Sequence, residues 1–348
     1  MPRARSGLKG PKPEGVHKRR SDRTVAAVPL YQPQLALLVK EAPVGDGWLH
    51  EAKYDGYRIG ARIMGDVVQL ISRRDQDWTA AFPGVARAVG ELGLGSALLD
   101  GEVAVLDPSG KTSFQLLQNA FENGVASNAV YFVFDLLSLN GEDIAKLPLE
   151  ERKTRLSKAI GGAGATGVVR YASHLLGDGK AIHKQACAMG LEGIVSKRRE
   201  GIYRWGRRDP SWQKVKCVLR QELVIGGFTD PEGSREGIGA LLMGYHDDHQ
   251  PKQLVYAGKV GTGFTQAMSR DLCAELGKIE TSECPFATRP PDAGRAGTHW
   301  VKPQMVGEVQ FTEWTKDGTM RHPSFQGVRR DKRAAEVRRE KAASGGAG

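Results

Sequence analysis

The chain has 348 residues, of which 40% are hydrophobic and 26% charged, and this length is enough for two domains with hydrophobic cores. No apolar run approaches the roughly 20 residues of a membrane span, and the basic N-terminus has no apolar stretch behind it, which excludes a secretory signal. The four cysteines, Cys187, Cys217, Cys273 and Cys284, are scattered and form no Cys-x-x-Cys pair. We therefore expect neither a zinc site nor a disulfide framework, as in a protein of a reducing compartment.

The positive charge is concentrated at the two ends of the chain. The formal net charge is +10, to which residues 1–28 contribute +6 and residues 329–348 contribute +4, so residues 29–328 are neutral as a whole. Basic ends on a neutral body are typical of proteins with a polyanionic partner, most often nucleic acid. A role in solubility alone is the alternative.

Residues 1–28 are rich in lysine, arginine, proline and glycine, which predicts a disordered basic tail. Residues 29–217 then alternate between strand-like and helix-like patterns, which predicts one α+β domain. The predicted strands include residues 57–64, 67–72, 97–106, 130–137 and 193–197. The predicted helices are residues 79–93, 113–122, 149–160 and 181–190.

The pattern changes near Cys217. Short strand-like stretches at 222–229, 240–245, 253–259 and 307–314 surround one predicted helix at 265–276. Short strands with Gly-rich turns and one inserted helix are typical of a small five-stranded β-barrel of the OB type. Residues 218–333 are therefore predicted to form a second domain, and residues 334–348 a basic C-terminal tail.

Residues 51–58 read Glu-Ala-Lys-Tyr-Asp-Gly-Tyr-Arg, which places Lys53 at a tight turn between two predicted strands. A free lysine has a pKa of ~10.4, and it becomes a nucleophile only where burial, nearby cations or a metal lowers that value. A strand lysine paired with Glu51 or Asp55 is the ordinary alternative.

Two carboxylates stand beside glycines within apolar strand patterns. Glu102 follows Gly101 in Leu-Leu-Asp-Gly-Glu-Val, and Glu192 precedes Gly193 in Leu-Glu-Gly-Ile-Val-Ser-Lys. Buried charges are costly unless they are paired or bound to a metal, and glycine lets another group approach the backbone closely. Glu102 and Glu192 are therefore candidate ligands of a divalent cation, with ordinary ion pairs as the alternative.

Several cations and one aromatic residue complete the set. Arg73 ends a predicted strand, while Lys214 and Lys216 lie on one strand face because residues two apart point the same way. These three side chains can bind phosphate oxygens, and Phe134 can stack on an adenine ring. A basic strand face and a core phenylalanine are the alternatives. Together the motifs predict a cleft for attack on a nucleoside triphosphate.

As an ordered set, these motifs resemble those of ATP-dependent DNA ligases in the covalent nucleotidyltransferase superfamily. The set is Lys-Tyr-Asp-Gly-Tyr-Arg, Ser-Arg, Asp-Gly-Glu, Phe-Asp-Leu-Leu, Glu-Gly-Ile-Val-Ser-Lys and Lys-Val-Lys, and it is most similar to the ligase domain of bacterial ligase D, an end-joining enzyme. Residues 320–332, Met-Arg-His-Pro-Ser-Phe-Gln-Gly-Val-Arg-Arg-Asp-Lys, resemble the motif that closes that family's OB domain. The resemblance covers about residues 30–333 and departs at Arg74-Asp75, where the family often has Asn-Gly.

The resemblance implies an α+β fold: a nucleotidyltransferase (ATP-grasp-like ligase) domain with antiparallel sheets, followed by a small OB-fold β-barrel. It also implies that Lys53 takes AMP as a phosphoramidate, with ATP and Mg²⁺ or Mn²⁺ as cofactors. The implied contacts are Glu51 on the adenine side, Arg58 and Arg73 at ribose or phosphate, Glu102 and Glu192 at ribose and metal, Phe134 on adenine, Lys197 at the nucleotide, Lys214 and Lys216 at the α-phosphate, and Arg321 and Lys332 at the pyrophosphate.

The same resemblance implies the partners: DNA with nicks or ends, and a Ku-type end-binding protein. It implies a stand-alone minimal ligase that is a monomer without membrane association, located in the cytoplasm at the bacterial nucleoid. An RNA ligase or a capping-type nucleotidyltransferase is the first alternative, and a non-enzymatic DNA-binding OB protein is the second. An NAD-dependent ligase lacks support because the chain has no four-cysteine zinc pattern.

Overall fold

The computed structural model describes residues 26–121, 124–161, 167–231, 236–247, 253–291 and 297–342. Most of the predicted N-terminal tail, residues 1–25, lies outside these described residues, as do residues 343–348. Among the residues described, no helix is both long and apolar enough to cross a membrane.

The first domain combines strands with four α-helices in its described residues. Its strands are β1 (Leu35–Leu38), β2 (Trp48–Ala52), β3 (Tyr57–Met64), β4 (Val67–Ser72), β5 (Ser96–Ala104), β6 (Val130–Leu139), β7 (Glu142–Asp143), β8 (Val169–Tyr171), β9 (His174–Leu175), β10 (Gly193–Arg198) and β11 (Arg208–Lys216). Its helices are α1 (Pro83–Gly90), α2 (Phe114–Asn119), α3 (Leu149–Ala159) and α4 (Gly179–Ala188), with a 3-10 helix at Ile144–Lys146. The predicted helix at 79–93 is shorter than expected because it begins at Pro83, whose fixed φ suits a first helical turn.

The strands form two sheets, with the orders β1-β11-β10-β2-β9 and β4-β3-β5-β6-β7, and β8 lies beside β6. All pairs are antiparallel except β1 with β11 and β6 with β8. Strands β2 and β3, on either side of Lys53, belong to different sheets. The tight turn predicted at Lys53 is therefore a passage between two sheets, which places this lysine at the seam between them.

Buried aromatic side chains pack between the two sheets. Phe134 of β6 and Trp212 of β11 meet edge to face, with ring centroids 6.1 Å apart, and Tyr203 packs on the same tryptophan at 5.8 Å. All three are less than 10% exposed. This cluster fixes the spacing of the sheets, and a cavity opens beside it.

The Phe-Asp-Leu-Leu motif places a carboxylate, Asp135, inside strand β6, and this carboxylate is paired. Asp135 is fully buried and accepts two hydrogen bonds from Arg152 of α3, at 2.7 and 2.8 Å. Arg152 donates two more to the carbonyl oxygens of Leu147 and Gly201, at 2.7 and 2.9 Å. Asp135 therefore attaches α3 to the sheet and is not part of the cavity lining.

We predict that Arg152→Met lowers the free energy of unfolding of this domain by about 3–5 kcal/mol, because it leaves the Asp135 carboxylate buried without a partner. Arg155→Met on the same helix is the matched control. Its pairs with Glu142 and Glu151 are partly exposed, so its cost should be below about 1 kcal/mol. Urea unfolding measures both; equal midpoints for the two variants would contradict this account.

The second domain is mostly β-structure in its described residues. Its strands are β12 (Leu219–Thr229), β13 (Ala240–His246), β14 (Leu254–Val260), β15 (Glu280–Thr281), β16 (Thr298–Val301), β17 (Val306–Phe311), β18 (Glu313–Trp314), β19 (Met320–Arg321) and β20 (Ser324–Val328). One α-helix, α5 (Gln266–Gly277), and a 3-10 helix at Ala334–Glu336 complete it. The predicted helix at 265–276 is present, and the Thr265 hydroxyl caps it by accepting a hydrogen bond from the Met268 N–H at 3.1 Å.

The main sheet of this domain has seven strands, where the sequence predicts a five-stranded barrel. Its order is β14-β13-β12-β16-β15, and β17 joins β12 to β20. The long strand β12 serves both sides, since residues 219–224 pair with β17 and residues 227–229 with β16. A separate hairpin, β18 with β19, carries Arg321.

The two domains are joined at Cys217 and Val218, between the end of β11 and the start of β12. Cys217 forms a disulfide with Cys187 at the end of α4, which corrects the expectation that the cysteines are unpaired. The two residues are 30 apart in sequence, and only the packing of α4 against β10 brings them together. Cys273 and Cys284 are free.

Residues 334–342, predicted as part of a C-terminal tail, pack against the body in the structure. Ala334 and Val337 are less than 10% exposed and belong to the core of the second domain. The His246 N–H donates to the Val337 carbonyl oxygen at 2.9 Å. The folded body therefore extends past residue 333. The sequence did not indicate this, because Ala334 and Val337 are the two buried apolar residues of a basic segment.

Candidate active site

A cavity of about 290 Å³ lies at the seam between the two sheets, and the second domain closes it. Eleven of the twelve predicted site residues line it: Glu51, Lys53, Arg58, Arg73, Glu102, Phe134, Glu192, Lys197, Lys214, Lys216 and Lys332. Residues from both domains contribute, so the complete cavity exists only while the domains are closed together.

Lys53 follows β2 directly, and its backbone N–H donates to the Gly193 carbonyl oxygen at 3.0 Å. Its ammonium lies 2.5 Å from a carboxylate oxygen of Glu192. Gly193 is required beside it, because a Cβ there would come within 2.1 Å of the Val215 carbonyl oxygen and its φ is +155°. The glycine therefore allows the neighbouring strand, rather than a ligand, to approach closely.

The charge state of Lys53 differs from the expectation for a free nucleophile. Burial by itself lowers the pKa of Lys53, but Glu192, Asp55 and Glu102 more than offset this and raise the pKa above its usual value. The lysine is thus an ammonium in this state. A role as nucleophile requires a change in the cavity that separates Lys53 from these carboxylates.

Burial raises the pKa of Glu102 to about 7, although Lys53 and Arg58 act to lower it. Glu192 adds to the increase, and both carboxylates line the cavity. Two nearby carboxylates are a suitable donor set for a hard divalent cation, which often takes one or two carboxylates together with substrate phosphates. Glu102 and Glu192 therefore fit the predicted metal ion.

Arg58 is held by the aspartate of the Asp-Gly-Glu motif, a residue to which the sequence analysis assigned no contact. Asp100 is fully buried and accepts two hydrogen bonds from Arg58, at 2.7 and 2.6 Å. It also accepts one from each of the hydroxyls of Tyr31 and Tyr203, both at 2.7 Å. The guanidinium lies 4.7 Å from the ring centroid of Phe134. Asp100 therefore fixes the position of Arg58 in the cavity.

Part of the cavity lining is apolar and suits a purine ring. It includes Pro33, Leu35, Ala36, Phe134, Val195 and Trp212. The Lys197 ammonium lies 4.3 Å from the Phe134 centroid and 4.0 Å from that of Trp212. Burial lowers the pKa of Lys197 to about 8, although Glu51 opposes the shift.

Glu51 also lines the cavity, but it is almost fully buried between two lysines. It pairs with Lys197 at 2.6 Å and, on its other oxygen, with Lys153 of α3. Lys153 is 2% exposed, and the sequence motifs did not single it out. A charged residue in the middle of the buried face of α3 is the signal that identifies it.

Another part of the cavity lining consists of cationic side chains. Lys214 and Lys216 point into it from β11, as their spacing predicts, and Lys332 reaches it from the second domain. Arg73 lies at the exposed margin. Burial lowers the pKa of Lys214, and Lys216 and Lys53 contribute to the same shift. A cluster of cations of this kind suits the phosphates of a nucleotide.

Arg321 does not reach the cavity. It lies on the β18–β19 hairpin, its side chain is 60% exposed, and it pairs with Glu313 at 2.8 Å. This placement corrects its predicted contact with the nucleotide. The hairpin is a separate two-stranded sheet, which the sequence pattern alone does not show.

Arg329, and not Arg321, contributes to the cavity lining. It is 8% exposed and bonds to Glu308 at 2.8 Å and to Asp331 at 2.8 and 2.9 Å. Its guanidinium also lies 4.8 Å from the ring of Phe114, in the first domain. Arg329 belongs to the same 320–332 motif as Arg321, so the structure places a different arginine of that motif in the cavity lining.

Comparison with known proteins identifies both domains. The family model described as ATP dependent DNA ligase domain matches residues 33–216, and the model described as ATP dependent DNA ligase C terminal region matches residues 234–332. The chain is 40% identical over 341 residues to the multifunctional non-homologous end joining protein LigD of Pseudomonas aeruginosa, covering 98% of this chain and 38% of that protein. It is 37% identical over 294 residues to the LigD protein of Mycobacterium tuberculosis H37Rv, covering 84% of this chain and 37% of that protein. The chain thus spans less than two fifths of the length of these relatives.

A solved structure, mycobacterial DNA ligase D complexed with ATP and MES, shares 34% sequence identity with this chain. The alignment has a TM-score of 0.68 and covers 89% of this chain and 98% of that one. This likeness confirms the predicted fold class, in which a nucleotidyltransferase domain is followed by an OB-fold domain.

Proposed function

The chain belongs to the ATP-dependent DNA ligase family, and from this premise we propose that it joins DNA strands at nicks or ends through a covalent lysine–AMP intermediate. ATP is the cofactor, together with Mg²⁺ or Mn²⁺. The observation that supports this best is the cavity lining, in which Lys53 lies together with apolar residues that suit adenine and cations that suit phosphates.

In the first step the Lys53 nitrogen attacks the α-phosphorus of ATP, a phosphorus–nitrogen bond forms, and the bond to the pyrophosphate oxygen breaks. Lys214 and Lys216 donate hydrogen bonds to the α-phosphate oxygens, where negative charge develops. Lys332 and Arg329 contribute positive charge near the departing pyrophosphate. Arg58, fixed by Asp100, holds the nucleoside side together with Phe134.

Lys53 must lose a proton before this attack. Its present partner is Glu192, and a divalent cation bound by Glu102 and Glu192 would neutralise these carboxylates and offset charge on the phosphates. Without that pairing, burial and the nearby Lys214 both favour the neutral amine. The ion pair with Glu192 thus keeps Lys53 protonated, and loss of this pair makes the lysine a nucleophile.

In the second step AMP passes from Lys53 to a 5′-phosphate on the DNA, and in the third the 3′-hydroxyl attacks that phosphate and expels AMP. Covalent catalysis divides one difficult displacement into easier ones. The second domain covers the cavity in the present state, so DNA can reach Lys53 only after that domain rotates about the link at Cys217 and Val218.

The remaining partners are proposals of the same kind. We place the protein in the bacterial cytoplasm, acting as a monomer on nucleoid DNA with help from a Ku-type end-binding protein. The similarity to proteins named for non-homologous end joining supports this placement. Ligation of blunt and cohesive ends with and without added Ku tests the partner directly.

The experiment that tests the proposed function is incubation of the pure protein with ATP labelled at the α-phosphate and either Mg²⁺ or Mn²⁺. We expect a labelled protein band that disappears when nicked duplex DNA is added and sealed. Labelling by GTP in place of ATP would instead support a capping-type enzyme, and sealing of nicked RNA alone would support an RNA ligase. Absence of any labelled band would refute the nucleotidyltransferase mechanism.

We also predict that residues 1–28 contribute DNA affinity that does not depend on sequence. They carry a net charge of +6, and each phosphate that a basic side chain neutralises releases counterions. Deleting them should weaken binding to a nicked duplex and reduce the slope of log affinity against log salt. Self-adenylation should be almost unchanged, because that step needs no DNA. An unchanged salt slope would show that this tail does not contact DNA.

A further inference from the structure

The last described segment of the second domain, residues 334–342, leads back into the cavity. Ala334 and Val337 anchor it in the core of that domain. Gln221 of β12 then holds it twice, because its side-chain amide donates to the Arg338 carbonyl oxygen at 3.2 Å and accepts from the Glu340 N–H at 3.1 Å. The segment is therefore a built part of the closed state.

Glu340 is the residue that these anchors present to the cavity. Its carboxylate accepts a hydrogen bond from Lys214 at 2.6 Å on one oxygen and from Lys216 at 2.7 Å on the other. The side chain is 24% exposed and lines the cavity. Burial by itself raises the pKa of Glu340, but Lys214 and Lys216 more than offset this effect and lower the pKa to about 2. The carboxyl group is therefore an anion at neutral pH.

A carboxylate that bridges two lysines imitates a phosphate. Both groups are anions that present two oxygens to cationic donors at hydrogen-bond distance. Lys214 and Lys216 are the side chains assigned above to the α-phosphate, and each ammonium already donates to Glu340 in this state. A nucleotide phosphate and the Glu340 carboxylate therefore compete for the same two donors.

We propose that Glu340 is a resident anion in the α-phosphate subsite, which ATP must displace before the first step and which sets the affinity of the enzyme for ATP. This inference rests on the proposed function. The carboxylate also offsets the charge of Lys214 and Lys216, which otherwise repel each other and Lys53.

The anchors limit this competition to one stage of the reaction. Residues 334–340 are attached to the second domain through Val337 and Gln221, so Glu340 leaves the cavity whenever that domain rotates away. Competition is thus expected in the closed state, where Lys53 reacts with ATP. It is not expected when an adenylated nick is sealed in the open state.

The test compares Glu340→Gln with the unchanged protein, after pyrophosphate treatment to remove bound AMP. Calorimetric titration with α,β-methylene-ATP measures affinity, since this analogue cannot release pyrophosphate. If the carboxylate occupies the subsite nine-tenths of the time, the variant should bind the analogue about tenfold more tightly. The rate of self-adenylation at saturating ATP and the sealing of a pre-adenylated nick should both stay unchanged.

Glu313→Gln is the matched control, because it makes the same change in net charge on the same domain. Glu313 is 56% exposed and pairs with Arg321 away from the cavity, so its affinity for the analogue should equal that of the unchanged protein. Unchanged affinity in Glu340→Gln would overturn the proposal. Weaker binding, or a slower rate at saturating ATP, would also overturn it and would show that Glu340 positions the two lysines. If the unchanged protein shows no labelling by ATP at all, the proposed function itself fails.

Discussion

Replacing Lys53 with alanine is expected to abolish covalent labelling by ATP, a loss of at least about 10,000-fold, as is found when a catalytic nucleophile is removed. The methyl group of alanine has no nitrogen to bond to phosphorus. Lys214 and Lys216 lie nearby, but they approach from β11 and bind the α-phosphate oxygens in the proposed first step, so neither takes the place of Lys53. Gel analysis with α-labelled ATP measures the effect.

Lys146→Ala is a suitable control for this variant, because Lys146 is 80% exposed and pairs only with Asp143 at 2.9 Å among the contacts that the structure describes. It should label like the unchanged protein. Sealing of a nick that already carries AMP should survive in Lys53→Ala, since the third step does not use the lysine as a nucleophile. Labelling that persists in Lys53→Ala, with AMP on another residue, would contradict the proposed mechanism.

Arg329→Ala is expected to slow self-adenylation by about 100- to 1,000-fold, the effect of removing one preorganised donor from the transition state. Arg329 is the most buried cation that the second domain contributes to the cavity among the described residues. Its contact with Phe114 also draws the two domains together. The first step needs both the closed state and a cation near the pyrophosphate, so it should be affected most.

Arg321→Ala supplies the comparison, since Arg321 belongs to the same motif but is 60% exposed and outside the cavity. Its self-adenylation should fall by no more than about threefold, as is usual for a surface ion pair. Sealing of a pre-adenylated nick serves as a check on folding in both variants. Equal losses of adenylation in Arg321→Ala and Arg329→Ala would show that the structure places the wrong arginine in the cavity.

Local patterns were sufficient for most of the fold because they act over a few residues. The strand at 130–139 follows from a continuous apolar run, and the helix α2 follows from Ser113, whose hydroxyl accepts from the Leu116 N–H at 3.3 Å. The number of strands in the second domain was underestimated, because two-residue strands such as β15 carry no periodic signal. The segment at 334–342 was missed because two buried apolar residues are too few to stand out in a basic run.

The sequence by itself determined the family, the two-domain order and eleven of the residues around the cavity, because the motifs that carry the chemistry are local and appear in a fixed order. Their assigned roles remain predictions. Tertiary structure alone decided which charges meet. It paired Glu51 with Lys153, Arg58 with Asp100 and Glu340 with Lys214, each across at least 42 residues. It also placed Arg329 in the cavity lining and left Arg321 exposed on a separate hairpin. The energy of an ion pair depends on distance and burial in space, which spacing along the chain does not encode.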